Sequence, residues 1–506
     1  MQILMKNINA LILSILLILA GACTDDFEEV NTNQNQPEVV TSDLLLTNVI
    51  VESVRTMDDL AWSIGNVVAQ HVAKIQFTGE DRYDWGPEGT PWFNFYGLLR
   101  DVNNILDNET EENSYVAVAL IMKSWMYQIL TDSYGDVPYS EAIQGKSDEN
   151  YTPAFDSQEA VYAGILADLE RANDILNANP TSIQGDVLFE GDLSRWQKFA
   201  NSLRLRILMR QSARVNPSAA MQAILNSNDA PVFQSNDDHA VLNYLDAAPN
   251  QQPLYTTRSG SFDEYRLSQR MENILKSTND YRLFAFAQPT TASNVSLIGS
   301  FDDYVGVPNG LADEAALQFN GGSNFVSRVG LLYSCLVCDD RASPIARQGM
   351  LMTYSELQFI LAEAAEKGYI EGEPTAYYLE GIQSSFDYFS SRASLIAPDL
   401  GSAVAPAAGY FDQPEVAYTG TQEDKLRKIG TQKWISLFFN ATEAWFEWRR
   451  TGYPAIEPGA DALINQVPTR YQYPLEPQSL NGENYTAAIS AQGPDVITTK
   501  VWWDMQ

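Results

Sequence analysis

Residues 115–130 read YVAVALIMKSWMYQIL, and this stretch decides the fold class. Only Lys123, Ser124 and Gln128 interrupt a run that is apolar on every side of a helix. A helix of that kind is buried all round, so other helices must surround it. Immediately after it, residues 131–139 (TDSYGDVPY) place Gly135 and Pro138 in a tight turn that closes the helix.

Working outward, Asp156 and Glu159 form a plausible capping box, and Val161, Ile165, Leu169, Ala172 and Leu176 mark one face behind it. Leu193, Trp196, Ala200, Leu203 and Ile207 repeat at three and four, with Pro217 beyond the end. A second block opens with Thr353 and Glu356 as a capping box. Its face is Leu357, Ile360, Leu361 and Ala364, and Gly368 is a natural stop. Leu379, Ile382, Phe386 and Phe389 continue as a partner helix, and Trp434, Phe438, Ala441, Trp445 and Trp448 line a last one. Helix starts near 158 and 193 lie about one tetratricopeptide repeat (~34 residues) apart, although the spacing does not persist. The expected fold is mainly α: tetratricopeptide-like helix pairs form a scaffold, with a long irregular, loop-rich, ligand-facing region. The body is expected over 46–506. Scaffold occupies about 46–215 and 350–450, loops rich in Asn, Asp, Gly, Pro and Ser occupy 216–349, and 451–506 is irregular.

The front end is a targeting segment. Lys6 supplies positive charge, residues 11–20 (LILSILLILA) are an apolar core too short to span a bilayer comfortably, and small residues lead to Cys23. This predicts a lipoprotein signal peptide over 1–22 and lipid attachment at Cys23, with Met1 or Met5 as the start. Several acyl chains make such anchoring effectively permanent. Residues 23–45 then read as a tether whose acidic start (TDDFEE) suits the outer face of an outer membrane.

With 45% hydrophobic residues and 11% aromatics the chain is globular, and no later apolar run is long enough to cross a membrane. It carries 65 acidic against 32 basic residues, a formal charge of −33, which argues against nucleic acid as a partner. Cys335 and Cys338 are the cysteines left besides Cys23. In an oxidising compartment they read as a local disulfide, since a metal site needs two more ligands and only His71 and His239 exist. No GxGxxG, P-loop or HExxH motif occurs, and neither cofactor nor metal is expected.

Several segments in order carry a family resemblance. They are TDSYGDVPY (131–139) with Glu141-Ala142, then Phe155-Asp156-Ser157-Gln158-Glu159 leading into Val161-Tyr162, and WQKFANSLRLR (196–206). Glu356, Ala362-Glu363-Ala364-Ala365, Gln432-Lys433-Trp434 and EAWFEWRRTGYP (443–454) follow. Arg470, Tyr473-Pro474, Asn484-Tyr485 and Trp502-Trp503-Asp504 complete the set. Together with the N-terminus this order resembles the SusD/RagB-like outer-membrane lipoproteins. The resemblance implies a surface protein that binds a nutrient oligomer, more often glycan than peptide, without catalysis. It implies a TonB-dependent (SusC-like) outer-membrane transporter as partner. Read from the residues alone, these motifs are structural. Trp434, Trp445 and Trp448 recur at helical spacing, and Arg449 and Arg450 suit a helix C-terminus or bind carboxylates.

Capture of sugar needs flat aromatic faces beside planar polar side chains. Two aperiodic stretches offer the mix: 79–92, with Arg82, Tyr83, Asp84 and Trp85, and 301–325, with Tyr304, Asn309, Phe319, Asn320, Asn324 and Phe325. A surface glycoside hydrolase is the rival reading. It needs a carboxylate pair about 5–10 Å apart, and no carboxylate motif stands out.

Overall fold

The computed structural model describes residues 40–178 and 180–505. The expected signal peptide, Cys23 and the tether as far as residue 39 lie outside the described residues. Five helices follow one another and pack in sequence: α1 (Ser42–Leu60), α2 (Thr90–Asn108), α3 (Ser114–Tyr134), α4 (Gln158–Ala178) and α5 (Leu193–Arg210). The end of the stretch read as tether is therefore helical: Leu45 and Leu46 are buried on α1. After α6 (Ser218–Asn226) and α7 (Gln269–Ser277), the second block holds α8 (Tyr354–Glu366), α9 (Pro374–Ala393), α10 (Gln422–Ser436) and α11 (Glu443–Thr451). α8 packs on α5, α9 and α10, which joins the blocks.

α3 is the axis of this arrangement. All its residues except Tyr115 and Lys123 are buried. The Asn113 side chain accepts from the Tyr115 N–H at 3.0 Å and starts the helix. Gly135 ends it at φ 86, where a Cβ would also meet the Gln492 side chain 2.1 Å away, so only glycine closes this turn.

The motif residues converge on a buried ion network. The acids Asp132, Glu356, Glu363, Glu443 and Glu447 are matched one for one by Arg206, Arg210, Lys433, Arg449 and Arg450, all with side chains withdrawn from solvent. Arg206 grips Glu356 with two bonds of 2.6 and 2.7 Å. Arg210 reaches Asp132 at 3.0 Å, Glu447 at 3.0 Å and also Glu443. Lys433 meets Glu447 at 2.8 Å. Arg450 takes Glu363 in a fork of 2.8 and 2.5 Å, while Arg449 donates to the carbonyls of Asp132 and Thr469, both at 2.6 Å. Burial would raise Glu363, but Arg450 and Lys367 outweigh it and hold its carboxyl at about 2. The family-like motifs are thus internal joints between α3, α5, α8, α10 and α11.

Three local expectations change. α4 begins at Gln158 and is started by the Ser157 hydroxyl, which accepts from the Ala160 N–H at 3.3 Å. Asp156 instead accepts from the N–H groups of Tyr139 and Ser140 at 3.0 and 2.8 Å and pins the turn after α3. Thr353 does cap α8, accepting from the Glu356 N–H at 3.2 Å. Glu356 does not return the contact, because a buried guanidinium claims its carboxylate. The helix read through Trp434 and Trp448 breaks between Ser436 and Glu443, with Phe439 and Ala441 at φ 63 and 43. Asn66 accepts from the Phe439 N–H at 3.1 Å, and the Phe439 ring stacks on Tyr333 with centroids 4.0 Å apart. These contacts come from distant segments and override the local helical period.

Strands are short. β1 (Val72–Lys74) pairs antiparallel with β3 (Tyr265–Leu267), and β2 (Ala240–Asn243) pairs antiparallel with β4 (Gln348–Met352). The 216–349 region is otherwise turns and brief helices. Within 451–506 the irregular reading misses Leu475–Leu480 and α12 (Gly482–Gln492). α12 fully buries only Ala488, with Tyr485 and Ile489 partly buried beside it, so its apolar face is short.

Candidate functional site

β1 pairs with β3, and bridges from Arg266 to Arg328 and from Ser268 to Val307 bring the loops after residue 300 alongside. There the two aperiodic stretches meet. The Thr78 N–H donates to Asp313 at 2.8 Å, and the Asn309 amide donates to the Val72 carbonyl and to Asp81, each at 2.8 Å. A third segment joins them: Arg82 donates to the Asp461 carbonyl and the Asp461 carboxylate accepts from the Ala312 N–H, both at 2.9 Å. Beneath the junction lies a small apolar cluster, Ala73, Ile75, Val307, Ala316 and Val326, with Phe319 packed on its edge.

The expected ligand contacts divide by depth. Tyr83, Tyr304 and Asn309 are buried, and Asn309 spends its amide on the junction. Trp85 is half-buried: its indole N–H donates to the Glu80 carbonyl at 2.9 Å, and its ring meets Trp445 edge-on at 5.8 Å. Trp445 and Tyr471 pack against its ring and cover part of it. Arg82 is half-buried against Asp461, and Asp84 is exposed at the edge.

Phe319, Asn320, Asn324 and Phe325 lie together at the surface. Phe325 is 47% exposed, and the Asn320 amide donates to its carbonyl at 2.9 Å, holding the turn closed. One aromatic went unread: Phe77, 69% exposed and one residue from the Thr78–Asp313 contact. Its signal in the sequence is an aromatic directly before Thr78-Gly79, where the short strand has ended. Leu317 adds a further exposed apolar group.

Two junction carboxyls, Asp81 and Asp313, are perturbed in opposite directions. Burial pushes Asp81 up to about 6, against bonds from Asn309 and the Lys74 N–H. Its oxygens face those donors inside the junction, so it serves the architecture. Asp313 is held below the usual range, chiefly by the Thr78 N–H. Among the described residues no group of His, Cys, Asp and Glu is placed to hold a metal ion. His71 is buried, and burial pulls it down to about 3 despite the Trp434 carbonyl at 3.0 Å. Cys335 and Cys338 are joined by a disulfide.

Over residues 34–474 the chain matches the model of a family described as starch-binding and associating with the outer membrane. The chain belongs to the SusD-like family. Solved structures agree with this SusD-like assignment. An outer-membrane protein of Bacteroides vulgatus, ascribed to nutrient binding, is 28% identical with a TM-score of 0.79, over 92% of this chain and 100% of that one. A SusD homologue of Bacteroides fragilis is 27% identical with a TM-score of 0.78, over 92% and 99%. A chitin-binding protein is 29% identical with a TM-score of 0.74, also over 92% and 99%. Among curated proteins, none matches the sequence. Association with the outer membrane is the family's property. Among the described residues of this SusD-like chain, no helix is long and apolar enough to cross a membrane.

Proposed function

We propose that this SusD-like protein is a lipid-anchored surface receptor that captures a glycan oligomer and passes it to a TonB-dependent transporter, without cleaving it. One observation carries the reading. Phe77 and Phe325 stand open to solvent, Asn320 and Asn324 are exposed next to Phe325, and the segments that carry them are bonded into one junction. Aromatic faces stack on pyranose rings, and primary amides satisfy hydroxyls in pairs. Rigid support keeps the ordering cost of binding low. The similarity to a chitin-binding structure makes chito-oligosaccharides the first probe, with malto-oligosaccharides second.

Calorimetric titration with both series, followed by chromatography of the mixtures, tests the reading. Saturable binding with the oligomer recovered intact supports capture. Shortened products would instead favour the hydrolase, and binding of peptides alone would make this a peptide receptor. Lipid attachment at Cys23 and the transporter partnership belong to the same proposal. They are tested by membrane fractionation and by co-purification of a barrel from native membranes.

A further inference from the structure

The turn at 308–310 has a second side. There a pocket of about 280 Å³ opens, with Gln70, Arg270, Asn273, Pro308, Glu457 and Gly459 among its walls. It lies just below the ~300–1,000 Å³ of sites for larger ligands and contains no aromatic side chain. Gln70 is buried with its backbone in the left-handed region, at φ 55, which a non-glycine residue adopts only when its surroundings impose it. Its amide donates to the Glu457 carbonyl at 2.7 Å and accepts from Arg270 Nε at 2.6 Å. This fixes the guanidinium plane. Among the described residues no hydrogen bond is made by the terminal nitrogens of Arg270 or by the carboxylate of Glu457, which is the leading charge partner of that guanidinium. Asn273 is exposed on the same wall.

A fixed double donor, an amide and a carboxylate acceptor thus surround a small polar space. Hydroxyl groups both donate and accept, so a vicinal diol answers all three. An anion is disfavoured by Glu457 and by the formal charge of −33. The pocket borders the same junction that carries the exposed rings. Asn309 forms part of its wall, and the segment that supplies Glu457 also supplies Asp461, which bonds Arg82 and Ala312.

We propose that this pocket is a second carbohydrate subsite, which takes one neutral sugar residue by its hydroxyls while neighbouring residues of the same oligomer stack on Phe77 and Phe325. The inference rests on the glycan-capture reading. Its test is calorimetry of chitohexaose and maltohexaose with the full mature chain, R270Q and E457Q. With the hexaose that the wild type binds, each variant is expected to lose at least tenfold in affinity, and E457Q to do so with its melting temperature unchanged. E457Q alters an exposed side chain that accepts no hydrogen bond and keeps its shape, so it carries the test should R270Q fail to fold. Wild-type affinity in folded E457Q would overturn the subsite and leave the capture reading standing. Absence of wild-type binding to both hexaoses would bring down the capture reading, and the subsite with it.

Discussion

Single residues separate recognition from support. Phe77→Ala and Phe325→Ala remove exposed rings that pack lightly on the fold. Each is expected to weaken glycan binding by about 1–2 kcal/mol, on the order of tenfold, with little change in melting temperature. Calorimetry beside a thermal melt checks both halves. Trp85→Ala should do the reverse. Its ring is held by Trp445 and Tyr471, so stability should fall by about 3 kcal/mol while affinity per folded molecule holds. A denaturant titration together with binding corrected for folded fraction decides this, and weakened binding at full stability would return Trp85 to the site. Glu356→Ala would leave the Arg206 guanidinium buried without its carboxylate, at a cost of about 3–5 kcal/mol. Chemical denaturation measures that loss. From the sequence, the chemistry of all these residues was plain but their depth was not. Asn309 and Asn320 read alike, yet one is spent inside the junction and the other closes a surface turn.

At the level of elements, α3 follows from its own residues, because a segment with no polar stripe has nowhere to lie but inside. The break between α10 and α11 shows the opposite case. The Trp434–Trp448 period is sound for a helix, but Asn66 and Tyr333 hold Phe439 in a left-handed turn. Gly65 makes the approach possible, since a Cβ there would lie 2.3 Å from the Ala441 carbonyl oxygen. Gly65→Ala is therefore expected to destabilise the fold by about 1–3 kcal/mol through a forced backbone shift. Its denaturation midpoint checks the magnitude. α12 escaped notice for a different reason. Its apolar face is three residues, Tyr485, Ala488 and Ile489, too short a stripe to stand out in the sequence.

The whole molecule responds to pH through two opposed sets of carboxyls. Burial raises Asp58 and Asp81 to about 6, although Arg347 counters it for Asp58 and Asn309 for Asp81. Their contribution is fully present below the unfolded value of 3.8 and is lost as pH rises through 6. Glu363 runs the other way. With its folded value at about 2 against 4.5, it stabilises above 4.5, and that contribution is lost as pH falls toward 2. Thermal stability should therefore rise on acidification from pH 7 toward 5 and fall again below about 4. Scanning calorimetry across that range, with Asp81→Asn expected to flatten the upper limb, tests the assignment. On the same scale, Cys23→Ala should move the protein from the membrane to the supernatant on fractionation. Retention in the membrane would remove the lipid from the account.

The sequence by itself determined the mainly helical scaffold and the family, because both are written in what a side chain is: apolar period, and acids and bases recurring in a set order. Arg206, Glu356, Glu363 and Arg450 sit far apart along the chain, and only the packing of α5, α8 and α11 showed that they neutralise one another. The candidate surface was half legible. Two of its three segments declared themselves by composition, but Phe77 and the 457–463 segment joined them only through the β1–β3 ladder and the Asp461 bonds. Exposure depends on what the rest of the chain leaves uncovered, and that is a property of the folded molecule rather than of any stretch within it.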